Sequence, residues 1–299
     1  MSQKYESPAA FKQALEHRLK AATPAGIPVA RTRQLAVFDR FLARIAVVFG
    51  DAATLKGGVA LELRLERART TKDIDLRVMG STAGLLERLQ QAGRLDLDDF
   101  LSFEIDTDPR RPDIEAEGLK YDGFRFRAEA KLAGKLYGQR FGIDVAFGDP
   151  IFDAPETVVA NDIFGFAGIA PPTIRIYPIE THIAEKLHAY TLPRKRPNSR
   201  VKDLPDLALL ATIRSIEAAR LHAAIEQTFA FRATHDRPTT LPEPPPEWRA
   251  SYASIAADDS LPWPTLAEVF ESAKAFVEPV LSPSGCPPIW TPASRRWGK

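Results

Sequence analysis

Apolar residues recur at helical spacing early in the chain. Phe11, Leu15 and Leu19 do so within residues 8–20, and Leu35, Phe38, Phe41, Leu42, Ile45 and Val48 within residues 30–49, so two amphipathic helices are expected. Thr23-Pro24-Ala25-Gly26 separates them. The pattern then shortens. Ala53-Thr54-Leu55 is a brief apolar step that runs into Lys56-Gly57-Gly58, and Val59 to Leu65 is again helical. Asp73 to Val78 alternates with period two and predicts a strand, and Leu85 to Leu95 predicts a helix. Phe124 to Leu132 alternates cleanly and should pair with Arg140 to Phe147 across a turn near Gly134 to Gly138. These elements predict an α/β fold, a mixed sheet covered by helices.

Beyond Asn161 the pattern changes. Ile174-Arg175-Ile176 reads as a short strand, and Pro178 opens a helix through Tyr190. A basic loop from Leu192 to Lys202 follows, then helices from about Asp203 to Ile213 and from Ile216 to Phe229. Successive helices predict an α-helical lobe. Residues 237–264 are rich in proline, including Pro242-Glu243-Pro244-Pro245-Pro246, and read as an extended linker or wrapping segment. Leu266 to Val280 has the spacing of one more amphipathic helix, and the stretch after it reads as irregular. The expected division is a core over residues 1–160 that includes the N-terminal helices, a helical lobe over 161–235, and a proline-rich extension over 236–299.

Composition narrows the function classes. With 299 residues and 44% hydrophobic content the chain can bury a sizeable core. Forty basic residues against thirty-nine acidic ones give a net charge of +1, so any polyanion site must be local. A single cysteine, Cys286, excludes an intramolecular disulfide framework. No stretch approaches a membrane span and Met1 to Lys20 lacks a signal-peptide core, so a cytoplasmic protein without a membrane partner is expected.

Candidate chemistry lies on the strands. Residues i and i+2 of a strand share a face, so Asp73 and Asp75 project together while Ile74 and Leu76 face the core. In Phe141-Gly142-Ile143-Asp144-Val145-Ala146-Phe147 the same rule sets Asp144 opposite the apolar positions. Three converging carboxylates call for a hard divalent cation, Mg²⁺ or Mn²⁺. Lys56-Gly57-Gly58 between strand and helix would aim backbone N–H groups at an anion. Each feature alone has an ordinary reading, a simple turn or an exposed strand face; their combination points to phosphoryl-transfer chemistry. Glu180, Glu185, Lys186 and His188 read as a solvated helix face, or with Lys186 reaching inward to a triphosphate. Asp203 reads as the N-cap of its helix, with Pro205 in the first turn. His182, Glu185 and His188 are spaced i, i+3, i+6, which does not suit a zinc-protease helix.

Leu55-Lys56-Gly57-Gly58-Val59-Ala60-Leu61, with Arg69-Thr70-Thr71-Lys72-Asp73-Ile74-Asp75-Leu76, resembles the AbiEii/AbiGii nucleotidyltransferase toxin family of the DNA polymerase beta-like superfamily. The family's Gly-Gly, a gap, then Arg-x-Ser/Thr-x-Asp-x-Asp is met here with fourteen residues between Gly58 and Asp73. Ile143-Asp144-Val145 resembles its third carboxylate strand. Tyr177-Pro178-Ile179-Glu180 with Ile183-Ala184-Glu185-Lys186-Leu187 resembles its lysine motif, and Arg200-Val201-Lys202-Asp203-Leu204-Pro205-Asp206-Leu207 its final acidic motif. The chain departs at Val59, where a small hydroxylated residue is common, and at Lys72, which replaces a frequent acid.

The resemblance implies a nucleotidyltransferase core with a helical lobe, acting as the toxin half of a toxin–antitoxin or phage-defence pair. It implies Asp73, Asp75 and Asp144 as metal ligands, with Lys186, Asp203 and Asp206 completing the catalytic set. Lys56, Gly57, Gly58, Arg69, Thr71, Lys186, Arg200 and Lys202 would contact a nucleoside triphosphate. Some relatives transfer nucleotides to the 3′ end of tRNA, so an RNA acceptor and a cognate antitoxin are expected partners. Transfer to a protein or small molecule, and a degenerate nucleotide-binding module, remain open alternatives.

Overall fold

The computed structural model describes residues 5–24, 26–65, 71–110, 112, 123–148, 150–193, 200–282 and 288–298. Two helices begin it. In α1 (Pro8–Ala22) the Ser7 hydroxyl accepts from the Ala10 N–H, and α2 (Val29–Phe49) ends at Gly50, whose φ of 50° turns the chain toward the sheet. There follow β1 (Ala53–Lys56), α3 (Gly57–Arg64), β2 (Asp73–Val78) and α4 (Leu85–Arg94). Next come β3 (Leu101–Thr107), β4 (Gly123–Leu132), β5 (Lys135–Leu136), β6 (Phe141–Phe147), β7 (Glu156–Val159) and β8 (Thr173–Ile176).

The strands form one mixed sheet in the order β3-β4-β6-β2-β1-β8-β7, with β5 added to β4. β2 runs parallel to β6 and β1 parallel to β8, while β1–β2, β4–β6, β3–β4 and β7–β8 are antiparallel. The expected β4–β6 pairing is present. β3 and β7 are additions that the pattern reading did not anticipate.

Alternation decides what each face does. Leu55, Ile74, Leu76, Ile143 and Val145 are buried in one core with Phe11, Leu15 and Leu19 of α1, the apolar stripe of α2, and Leu85 and Leu89 of α4. The intervening residues, Asp73, Asp75 and Asp144, therefore project from the other face. Inside this core the fully buried Arg44 clamps Asp99 with bonds of 2.7 and 2.6 Å and also donates to the carbonyls of Arg40, Leu95 and Leu101.

A second core gathers α5 (Ile179–Thr191), α6 (Asp203–Leu210), β9 (Ile216–Glu217), α7 (Ala218–Arg232), α8 (Trp248–Asp258), α9 (Leu266–Leu281), β10 (Ile289–Thr291) and β11 (Arg296–Gly298). Residues 237–247 are irregular as their prolines require, but Trp248, Tyr252 and Ala256 set one face of α8 into this core, so the whole proline-rich stretch is not extended. The stretch after α9 is also more ordered than its sequence suggests. β10 pairs with β9 and β11, and the Trp290 Nε1–H donates to the Ala211 carbonyl at 2.7 Å. Leu61 of α3 belongs to this second core although its neighbours Val59 and Ala60 belong to the first. No helix among the described residues is long and apolar enough to cross a membrane.

Candidate active site

One register row carries the chemistry across four adjacent strands. Lys56 lies opposite Asp75, Asp75 opposite Asp144, and Asp144 opposite Arg125, so two carboxylates are flanked by two cations. In the next row Asp73 faces Gly142, which faces Arg127. Gly142 lets Asp73 lie close: a Cβ there would come 2.5 Å from Asp73 Oδ1 and turn that side chain aside, and the oxygen accepts from the Gly142 N–H at 3.2 Å.

The glycine turn presses against this row. Gly57 has a φ of +68°, a backbone conformation that L side chains adopt only at a cost, and a Cβ on it would stand 2.0 Å from Asp75 Oδ2. Gly58 is covered by Thr71, whose hydroxyl oxygen would lie 2.7 Å from an added Cβ. Among the described residues no side chain caps α3 at its N-cap Lys56, and a helix N-terminus of this kind attracts an anion. Asp75 feels the crowding. Burial first, and the neighbouring Asp144 second, push its carboxyl up to about 6, against the opposing pull of Lys56 and Lys186.

The helical lobe contributes from α5 and α6. Lys186 Nζ stands 2.7 Å from Asp206 and 3.1 Å from Asp203, both buried. Arg200 approaches Asp203 at 3.8 Å, and Lys202 is exposed at the N-cap position of α6. Asp203 thus does not cap α6 as its sequence position suggested. It is the first residue of the helix, and its carboxylate turns to the Lys186 ammonium, a stronger partner than a backbone amide. Lys56 joins the two parts: its Nζ is 3.7 Å from Glu185 and 5.5 Å from the centre of the Tyr177 ring, and Glu185 also accepts from Arg232 at 2.9 Å. Glu180 serves elsewhere, paired with Arg214 at 3.4 Å and Arg220 at 3.8 Å.

The structure therefore brings Lys56, Gly57, Gly58, Thr71, Asp73, Asp75 and Asp144 to one face, with Lys186, Asp203 and Asp206 as a linked cluster. Arg69, and Arg194, Lys195 and Arg196 of the basic loop, lie outside the described residues, as does Cys286. The three carboxylates do not close on a common point. Among the described residues no group of three or more aspartate, glutamate, histidine or cysteine side chains is placed to hold a metal ion together. The reason is local: Asp73 leans to the Gly142 amide, and Arg125 takes both oxygens of Asp144 at 2.7 and 2.6 Å. Sequence reasoning missed Arg125. The signal existed, since Phe124, Phe126 and Ala128 fix the core face of β4 and so put Arg125 and Arg127 on the other.

The donor set still suits a hard cation. It is all carboxylate oxygen, and Asp75 and Asp144 stand side by side, with mutual repulsion raising the Asp75 carboxyl.

Comparison with known proteins places the chain in a family. The family described as nucleotidyl transferase AbiEii toxin, type IV TA system, matches residues 40–272. A search of curated proteins finds no match. Among solved structures the chain is similar to MenT4, a nucleotidyltransferase toxin of Mycobacterium tuberculosis, at 16% identity and a TM-score of 0.51, covering 76% of this chain and 71% of that one. It is also similar to JHP933 from Helicobacter pylori, at 14% identity and a TM-score of 0.47, covering 85% of this chain and 94% of that one. With its glycine turn, paired aspartates and lysine cluster lying inside the matched span, the chain belongs to the AbiEii nucleotidyltransferase toxin family, the toxin component of type IV toxin–antitoxin systems.

Proposed function

We propose that the enzyme transfers a nucleoside monophosphate from a triphosphate, with Mg²⁺ or Mn²⁺, to an RNA acceptor in the cytoplasm, the 3′ end of tRNA first among them. The observation that carries this reading is the row Lys56, Asp75, Asp144 packed against the left-handed Gly57 turn. The uncapped amides of α3 would hold triphosphate oxygens, and Lys56 and Lys186 would neutralise their charge. Asp203 and Asp206 fix the Lys186 ammonium in place. Asp73 and Asp75 would hold a divalent cation and Asp144 would share a second, supplying charge neutralisation at the phosphates and polarisation of the acceptor hydroxyl. The acceptor oxygen would attack the α-phosphorus in line, passing its proton to water, while the bond to pyrophosphate breaks and pyrophosphate leaves. Exposed Arg200 and Lys202 beside the lysine cluster are suited to a polynucleotide backbone, a contact that should weaken with salt.

The experiment is incubation of the purified protein with labelled nucleoside triphosphates, Mg²⁺ and total tRNA, beside Asp73→Asn and Asp75→Asn. Label should enter tRNA with the unaltered protein and drop by at least about a hundredfold with either variant. Equal labelling by all three proteins refutes the mechanism. Label in a product that resists ribonuclease refutes the RNA acceptor while keeping the transfer.

A further inference from the structure

We propose that Arg125 is a built-in substitute cation for Asp144. Its guanidinium holds the Asp144 carboxylate, so that a divalent ion competes for this end of the row and does so best when it arrives with a triphosphate. The inference rests on the transferase reading above and concerns a residue that reading does not use.

The geometry is specific. Arg125 Nε and Nη2 donate to the two oxygens of Asp144 at 2.7 and 2.6 Å, a forked pairing that uses both oxygens at once. A divalent cation at Asp144 would draw on the same two oxygens, so the two cations compete for the carboxylate. The backbone holds the pair in place. Arg125 and Asp144 are direct cross-strand partners, the Arg125 N–H donates to the Pro112 carbonyl at 2.8 Å, and the Arg125 carbonyl accepts from the Asp108 N–H at 3.0 Å. Only the side chain is left to move. It is 31% exposed, against 19% for Asp144, so the guanidinium has an open route into water when displaced.

The neighbouring cation does not duplicate the role, because Arg127 is engaged by Asp108 at 3.0 Å. The full row is balanced, with Lys56 on the Asp75 side and Arg125 on the Asp144 side. The two adjacent acids are thereby compensated by side-chain charge, and an incoming ion must compete with Arg125 for Asp144. A magnesium–triphosphate complex gains extra contacts from the glycine turn and lysines, whereas a bare ion gains none of these.

The test is a titration with Mn²⁺ alone, reading the free aquo-ion by electron paramagnetic resonance. The proteins are unaltered, Arg125→Gln, Arg125→Lys and the double variant Arg125→Gln/Asp144→Asn. Arg125→Gln should bind Mn²⁺ about tenfold more tightly than the unaltered protein. Arg125→Lys, which keeps the charge but loses the fork, should fall between them, and it reads the same effect if the glutamine variant folds poorly. The double variant should return to the weak binding of the unaltered protein. Unchanged affinity in both single variants, or a gain that survives Asp144→Asn, overturns the proposal. Nucleotide transfer by the unaltered protein is scored separately. Transfer with no change in Mn²⁺ affinity removes only this inference, and an affinity gain without transfer to any acceptor removes only the functional reading.

Discussion

Replacing Gly57 with alanine should separate the catalytic use of the glycine turn from its contribution to folding. Gly57 has a φ of +68°, and Gly134, in the turn after β4, has a nearly equal φ of +72°. Alanine at either position carries the left-handed backbone cost, on the order of 1–2 kcal/mol. At Gly134 a Cβ meets nothing within 4 Å, so that cost is the whole effect. At Gly57 the Cβ would sit 2.0 Å from Asp75 Oδ2 and 2.7 Å from its carboxyl carbon, well inside the 3.4 Å of ordinary contact. The Asp75 carboxylate must then move by more than about 1 Å, and a displacement of that size is worth roughly a hundredfold in rate. Gly134→Ala should lower the melting temperature by a few degrees, about 2–4 °C per kcal/mol, and Gly57→Ala by at least as much. Only Gly57→Ala should lose nucleotide transfer, by about two orders of magnitude, in an assay of label incorporated per minute. If Gly57→Ala transfers as well as Gly134→Ala, the turn does not set the position of Asp75 and the argument fails.

Other expectations follow from single contacts. Lys186→Met removes the ammonium shared by two buried acids and should destabilise the protein by about 3–5 kcal/mol in urea melts, with Asp206→Asn added to it recovering part of the loss. Because the Asp75 carboxyl lies near 6 in the folded protein, above its ordinary value of 3.8, it is protonated over that interval and ionised only above it. The initial rate at low divalent-ion concentration should therefore fall about tenfold per pH unit below pH 6; a limb centred near pH 4 would contradict the burial argument. By linkage the same shift makes the folded state gain stability from this group as pH falls from 6 toward 3.8. Arg44→Ala breaks a fully buried pair and strips three carbonyls of a donor, so it should cost about 3–5 kcal/mol in urea melts while the residual folded protein keeps its transfer rate.

The features most legible in the sequence are those that depend on near neighbours. The alternation through Ile74 and Leu76 was enough to place Asp73 and Asp75 on one face, and the spacing of Ile143 and Val145 did the same for Asp144. Register was not legible. The segment between β4 and β6 contains β5 and further turns, so that Arg125 meets Asp144 only once the pairing is known. Nor could the sequence weigh competing partners. Asp203 has every local mark of a helix cap, and a lysine seventeen residues earlier outbids the amide. α8 was hidden for a different reason: its buried stripe of Trp248, Tyr252 and Ala256 is short and lies among prolines that dominate any reading of composition.

The helix α3 answers to both cores. Its first turn carries the glycines beside Asp75, Val59 and Ala60 are buried against the sheet, and Leu61, fully buried, is gripped by the helical lobe. The cradle is thereby wedged like a shim between two masses, its aim set by how they seat against each other. Loosening either one, even by a cavity far from any phosphate, should register as weaker hold on the triphosphate before the sheet itself gives way.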